Sequence, residues 1–164
     1  MHKAERLVVG LVLAAVAGCG GGRAGGSAGA EVPEGASSPE TAVENFLSAA
    51  KEAYETRRAG DFPAADRAYA RMAAVFGTEH GSIRRSFPGE EVRSRMIVLS
   101  TCLRPVQYTI ISRPDPDAWR NEATTVTVDL DRPEAGTSSL PFSVVLGRDD
   151  RWFIERIDLT DFAC

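Results

Sequence analysis

The sequence predicts an α+β domain in which three N-terminal helices pack on a curved antiparallel sheet of about four strands. Apolar residues recur at helical spacing through the first half of the folded region, and they alternate with polar residues through the second half. Proline and glycine separate the segments. With 164 residues, 43% hydrophobic and 26% charged, the chain fits one such domain and leaves little room for a second.

Three helices are predicted in chain order, each with its apolar residues on a single face. The first begins at Pro39, which suits an early helical position after the N-cap residue Ser38, and it ends before Gly60. The second helix is predicted over residues 62–76 and the third over residues 90–103. A loop rich in turn formers, residues 78–89, connects them.

Strands are predicted for the remainder of the domain. Apolar and polar residues alternate in four segments, and a Gly-Arg-Asp-Asp turn precedes the last one. These segments cover residues 106–110, 125–130, 140–146 and 152–159. Their order after the helices predicts an antiparallel sheet with the helices on one face.

The N-terminus has the features of a secretory signal. Residues 1–6 carry Lys3 and Arg6, and residues 7–17 are eleven residues without a charge. As a helix, those eleven residues would span about 16 Å, roughly half of a ~30 Å hydrocarbon core. We therefore expect a cleaved signal and no permanent membrane span.

The end of this signal reads VAGC, from Val16 to Cys19. It resembles the bacterial lipobox, with valine where leucine is usual. The resemblance implies cleavage between Gly18 and Cys19, a diacylglycerol on the Cys19 thiol and an acyl group such as palmitate on the new N-terminus. Residues 1–18 would then be a lipoprotein signal peptide and Cys19 the membrane anchor. The alternative is an ordinary signal peptide with a chance cysteine.

A flexible tether is predicted over residues 19–37. Residues 20–37 hold seven of the chain's fifteen glycines and almost no large apolar side chain, a composition that cannot offset the entropy of ordering. The folded domain is predicted over residues 38–164. Gly20 after the anchored cysteine resembles an outer-membrane sorting signal, which implies an outer membrane location facing the periplasm where the host has two membranes.

Two phrases at opposite ends of the predicted domain are typical of one superfamily. They are SPETAVENFLSAAKEAYETRRAGDFPAA at its start and GRDDRWFIERIDL near its end. Together they resemble small bacterial envelope proteins of the nuclear-transport-factor-2-like superfamily, in which a strand often lies between the second and third helices. This sequence does not indicate that strand. The resemblance implies a cystatin-like cone whose sheet and helices can enclose an apolar pocket.

Five large side chains are candidate walls of that pocket: Tyr69, Met72, Phe76, Tyr108 and Trp152. Stripes of aromatic residues and methionine at helical or strand spacing also suit ordinary core packing, which is the alternative interpretation of this set.

The resemblance implies two functional hypotheses, because members of the superfamily include both catalysts and non-catalysts. The first is a non-enzymatic lipoprotein whose cone binds a small apolar ligand or a protein partner. The second is a small isomerase or hydro-lyase that uses a pocket carboxylate and a tyrosine. A homodimer through the exposed sheet face is a further hypothesis, since Ile111 and Val145 lie on the opposite face from their neighbours.

Charge and residue counts exclude several other classes. The net charge of -4 argues against a nucleic-acid-binding protein. After signal cleavage His80 is the only histidine, so a multi-histidine zinc site cannot form, and the aspartate pairs lack the spacing of a calcium loop. No metal or cofactor is predicted. A candidate basic patch is diluted by Glu90 and Glu91; its members are Arg67, Arg71, Arg84, Arg85, Arg93 and Arg95.

Cys102 and Cys164 are the two cysteines that remain after lipid attachment. Export to an oxidising compartment predicts a disulfide between them. The alternative is that Cys102 is a buried thiol beside Leu99 and Leu103, while Cys164 is free.

Overall fold

The structure is a computed structural model that describes residues 32–111, 123–133, 135–160 and 162–164. Within these residues it contains three α-helices, a four-stranded antiparallel sheet and a separate two-stranded sheet. The predicted α+β class, with helices before a four-stranded antiparallel sheet, is confirmed. The predicted signal peptide, Cys19 and the tether as far as residue 31 lie outside the described residues. No described helix combines the length and apolar character needed to cross a membrane.

The helices begin close to the predicted positions. The Ser38 hydroxyl caps the first by accepting the Thr41 N–H at 3.1 Å, and the Asp61 carboxylate caps the second by accepting the Ala64 N–H at 3.0 Å. The third has Pro88 at its N-cap and no side-chain cap. Their bounds are α1 (Pro39–Arg58), α2 (Phe62–Val75) and α3 (Gly89–Leu103).

A short hairpin lies between α2 and α3, where the sequence predicted only a loop. Strand β1 (Gly77–Thr78) pairs with β2 (Gly81–Ser82), and a 3-10 helix (Ile83–Arg85) follows. Strands of two residues are too short for an alternating pattern to show, so only the turn formers were visible in the sequence.

The main sheet is a meander in the order β3-β4-β5-β6. Its strands are β3 (Gln107–Ile110), β4 (Thr124–Arg132), β5 (Gly136–Leu146) and β6 (Trp152–Ile157). Strand β5 begins earlier than the predicted residue 140, because residues 137–139 are Thr-Ser-Ser and carry no hydrophobic signal. A register shift at Ser143/Val144 interrupts the pairing of β5 with β6.

The core lies between the helices and one face of this sheet. Val126, Val128 and Leu130 on β4 are fully buried, as the predicted alternation requires. Phe46 on α1 is also fully buried, and its ring centroid lies 5.9 Å from that of Phe76 and 6.3 Å from that of Phe142. Phe46 therefore joins α1, the end of α2 and strand β5.

The opposite face of the sheet is mostly polar. Val145, one of the two residues that indicated a dimer surface, is only 9% exposed and pairs with the fully buried Phe153 of β6, whereas Ile111 is 53% exposed. Among the described residues, this face therefore presents no continuous apolar surface to a second copy. Its polar residues on β4 and β5 are Thr125, Thr127, Asp129, Asp131, Thr137, Ser139 and Ser143.

The end of the predicted tether is attached to the folded domain. Ala36 is buried and forms an antiparallel bridge with Trp152, with N–H···O distances of 3.0 and 2.9 Å. The Gly35 N–H donates to the Ala74 carbonyl at 2.9 Å. The folded unit thus begins before the predicted boundary at residue 38, because these residues pair with the edge strand β6. We call residues 34–36 the N-terminal strap.

Gly35 provides a test of the strap. Its φ is +68°, and a Cβ there would lie 2.9 Å from Phe153 Cζ and also clash with Arg151 Cβ. Gly60 has a similar φ of +80° but no atom within 4 Å of an added Cβ, so it is the matched control. We expect Gly35→Ala to lower the free energy of unfolding by about 2–3 kcal/mol and Gly60→Ala by about 1 kcal/mol. Equal losses in urea denaturation would contradict the packing of the strap.

Candidate functional site

The five predicted pocket residues do not meet in one cavity. Met72 is fully buried, and Tyr69 and Trp152 are nearly so, all within the main core. Phe76 and Tyr108 are half-buried and pack against the outside of that core. Tyr69, Phe76 and Tyr108 line three separate surface grooves. Periodicity thus selected three buried and two half-buried positions, but it could not distinguish a filled interior from an enclosed cavity.

The described interior holds no buried carboxylate. Its buried polar side chains are Ser82, Ser100 and Arg132. The Ser82 hydroxyl donates to the Ala73 carbonyl at 2.8 Å, and the Ser100 hydroxyl donates to the Ile97 carbonyl at 3.0 Å. Both hydroxyls are therefore hydrogen-bonded to backbone carbonyls. The described residues include no buried carboxylate of the kind that the isomerase or hydro-lyase hypothesis requires.

A surface groove of about 280 Å³ lies between α2 and α3 and reaches the 3-10 helix; we call it the α2–α3 groove. Its apolar lining comes from Ala70, Ala73 and Val92. Its polar lining comes from Asp66, Tyr69, Arg84 and Arg93. The two arginines outnumber the single carboxylate, so the lining carries a net positive charge.

The charges of the groove are only partly paired. Arg93 Nε donates to Asp66 Oδ1 at 2.7 Å, and this hydrogen bond is the main reason that the pKa of Arg93 is raised. The Arg84 side chain has no ion pair within the described part of the chain.

Tyr69 is the unusual residue in the lining of this groove. The residue is 2% exposed, and its hydroxyl makes no hydrogen bond to any described residue. A buried hydroxyl without a partner costs about 1–3 kcal/mol. Sequence reasoning selected Tyr69 and Arg84 separately, but no pattern could show that they share a groove, because they belong to different elements.

The α3 N-terminus opens onto the same groove at Gly89. The first N–H groups of a helix lack intrahelical acceptors and carry partial positive charge. No side chain caps them in α3. Glu90 and Glu91 of the first turn are not lining residues, and Glu91 accepts from Arg95 at 2.6 Å.

The predicted basic patch is a mixed charged surface in the structure. Four of its six arginines form exposed or partly exposed ion pairs, which contribute little to stability: Arg71–Glu52, Arg85–Glu34, Arg93–Asp66 and Arg95–Glu91. His80 lies at the turn of the β1–β2 hairpin with its side chain 61% exposed and Nε2 3.4 Å from Glu79. Its exposure agrees with a solvated loop histidine.

Cys102 and Cys164 are joined by a disulfide in the structure, with their Cα atoms 4.5 Å apart. That separation lies within the ~4.4–6.8 Å range of disulfides. Cys102 is buried near the end of α3, whereas Cys164 is exposed in the segment that follows β6. The bond attaches this segment to α3.

Two arginines hold the segment that contains Cys164. The Arg104 guanidinium donates to the Cys164 carbonyl at 2.9 Å, and the Arg132 guanidinium donates to the Ala163 carbonyl. Arg132 also lies over the Phe162 ring, with Cζ 3.8 Å from the ring centroid. Burial, together with the nearby charge of Arg104, lowers the pKa of Arg132. These contacts were not visible in the sequence, because they join residues about 30 to 60 positions apart.

Among the described residues, no group of three or more histidine, cysteine, aspartate or glutamate side chains could hold a metal ion. Comparison of the chain with protein-family models, curated proteins and solved structures finds no match. The geometry that stands out is therefore the α2–α3 groove, with its unpaired arginine, its buried hydroxyl and its uncapped helix terminus.

Proposed function

We propose that this chain is a lipid-anchored bacterial envelope protein whose folded domain is a non-enzymatic binding module. The observation that carries the proposal is the VAGC sequence ending at Cys19, directly after a short uncharged segment. Each buried CH₂ of an acyl chain contributes about 0.8 kcal/mol to membrane binding, so two or three chains on Cys19 would anchor the protein firmly. Where the host has two membranes, Gly20 favours the outer membrane facing the periplasm.

The order of elements supports the proposed relation to the nuclear-transport-factor-2-like superfamily. The β1–β2 hairpin lies between α2 and α3, where that superfamily often has a strand. Phe76, just before β1, forms a parallel bridge with Ile154 of β6, which brings the hairpin next to the main sheet. This arrangement favours a shared architecture for residues 38–164.

A binding role is favoured over catalysis by the distribution of polar groups. The buried polar side chains of the described residues are two serines bonded to backbone and one arginine. The grooves that we describe lie at the surface, so a small ligand or a protein partner would bind there and not inside the cone.

Replacing Cys19 tests the anchor. We expect Cys19→Ser to leave the signal uncut and to abolish acylation, because serine cannot form the thioether. Mass spectrometry of the wild-type N-terminus should show acyl mass on Cys19, and the wild type should fractionate with membranes. Cys102→Ser is the matched control and should keep the acyl mass. An unmodified wild-type N-terminus that starts at another residue would contradict the proposal.

A further inference from the structure

We propose that the α2–α3 groove is a binding site for a small oxyanion that carries a short apolar body, such as an aryl phosphate. This inference does not depend on the lipid anchor, because it rests only on residues of the folded domain.

Three groups with hydrogen-bond donors belong to residues that line the groove, and none of the three has a side-chain acceptor among the described residues. The Arg84 guanidinium has no ion pair among the described residues, and the N–H groups of the first turn of α3 have no side-chain cap. The third is the hydroxyl of Tyr69, a residue only 2% exposed, which is unpartnered within the described chain. An oxyanion supplies several acceptors at once and complements both the arginine charge and the helix terminus.

The remaining lining limits the size and polarity of the ligand. Ala70, Ala73 and Val92 form an apolar wall beside the donors. A groove of about 280 Å³ lies just below the usual range of ligand sites, so it suits a single ring or short chain and not a long lipid. Asp66 is already paired with Arg93 at 2.7 Å, so it does not neutralise Arg84.

A titration of the full chain in detergent tests the site. Phenyl phosphate is the probe, inorganic phosphate lacks the apolar body, and phenol lacks the anion. We expect phenyl phosphate to bind at least about tenfold more tightly than inorganic phosphate, because burial of apolar surface adds to the same charge contacts. Phenol should not bind measurably. Equal affinities for the two phosphates, or no calorimetric signal with phenyl phosphate, would overturn the proposal.

Substitutions of Arg84 and of a control arginine test whether phenyl phosphate binds in the groove. Arg84→Gln should weaken phenyl phosphate binding about tenfold, because it removes a charge-assisted hydrogen bond. Arg67→Gln, an exposed change on α2 outside the groove lining, is the matched control and should not alter it. The amide signal of Gly89 should shift in the nuclear magnetic resonance spectrum on titration. Unchanged affinity in Arg84→Gln would overturn the assignment.

The Tyr69→Phe variant distinguishes a ligand-binding role of the Tyr69 hydroxyl from a purely structural role. We expect weaker phenyl phosphate binding by about fivefold together with a higher thermal midpoint of the free protein, because the variant removes a buried hydroxyl without a partner. If the hydroxyl only stabilised the fold, Tyr69→Phe would lower the thermal midpoint and leave the affinity for phenyl phosphate unchanged. That result would overturn the role of Tyr69 and the proposed site with it.

Discussion

Phe46→Ala is expected to lower the free energy of unfolding by about 3–5 kcal/mol, the usual cost of truncating a buried phenylalanine. Phe46 is fully buried and contacts the rings of Phe76 and Phe142, which come from the end of α2 and from β5. The helices and the sheet cannot both close on an alanine there, so a cavity should remain. Urea denaturation monitored by circular dichroism measures the loss.

Phe62→Ala is the matched control for that measurement. It makes the same chemical change at the start of α2, but Phe62 is 56% exposed, so we expect a loss below about 1 kcal/mol. A loss of that small size in Phe46→Ala would mean that the apolar face of α1 is exposed, and the packing of α1 on the sheet would be wrong.

The helices and the central strands could be predicted because their signals are local. Caps at Ser38 and Asp61, apolar spacing on α1 and α2, and alternation on β4 each depend on residues close in the sequence. The β1–β2 hairpin escaped prediction because two-residue strands contain no period. Such strands depend on their neighbours in space.

The strap and the α2–α3 groove escaped prediction for a different reason. The composition of residues 20–37 predicts a flexible tether. Ala36 is nevertheless held by backbone hydrogen bonds to Trp152. Every residue except proline carries the same backbone donor and acceptor, so composition could not predict this pairing. Likewise, the sequence suggested Tyr69 as a wall of an interior pocket and Arg84 as a member of a basic patch. Only the packing of α2 against α3 and the 3-10 helix brings them to one groove.

Loss of the Cys102–Cys164 bond is the other large effect that we expect. The bond joins residues 62 positions apart, and the chain-entropy treatment of such a loop gives about 4 kcal/mol. Peptide mapping of the unreduced protein should recover the two cysteines in one linked species. Two separate thiol-bearing peptides would contradict the bond.

The single and double variants distinguish a bond from a buried thiol. If the bond stabilises the domain, Cys164→Ser alone should lose about 3–4 kcal/mol of the free energy of unfolding, and the double variant should lose little more than Cys102→Ser alone, because the bond is one shared interaction. Cys102 is buried and Cys164 exposed, so the free-thiol alternative expects a loss from Cys102→Ser and almost none from Cys164→Ser. Reduction of the wild type should reproduce the loss seen in Cys164→Ser. Because Arg104 and Arg132 bind the carbonyls of Cys164 and Ala163, part of the terminal segment should stay attached after reduction, which would place the measured loss below the entropic value.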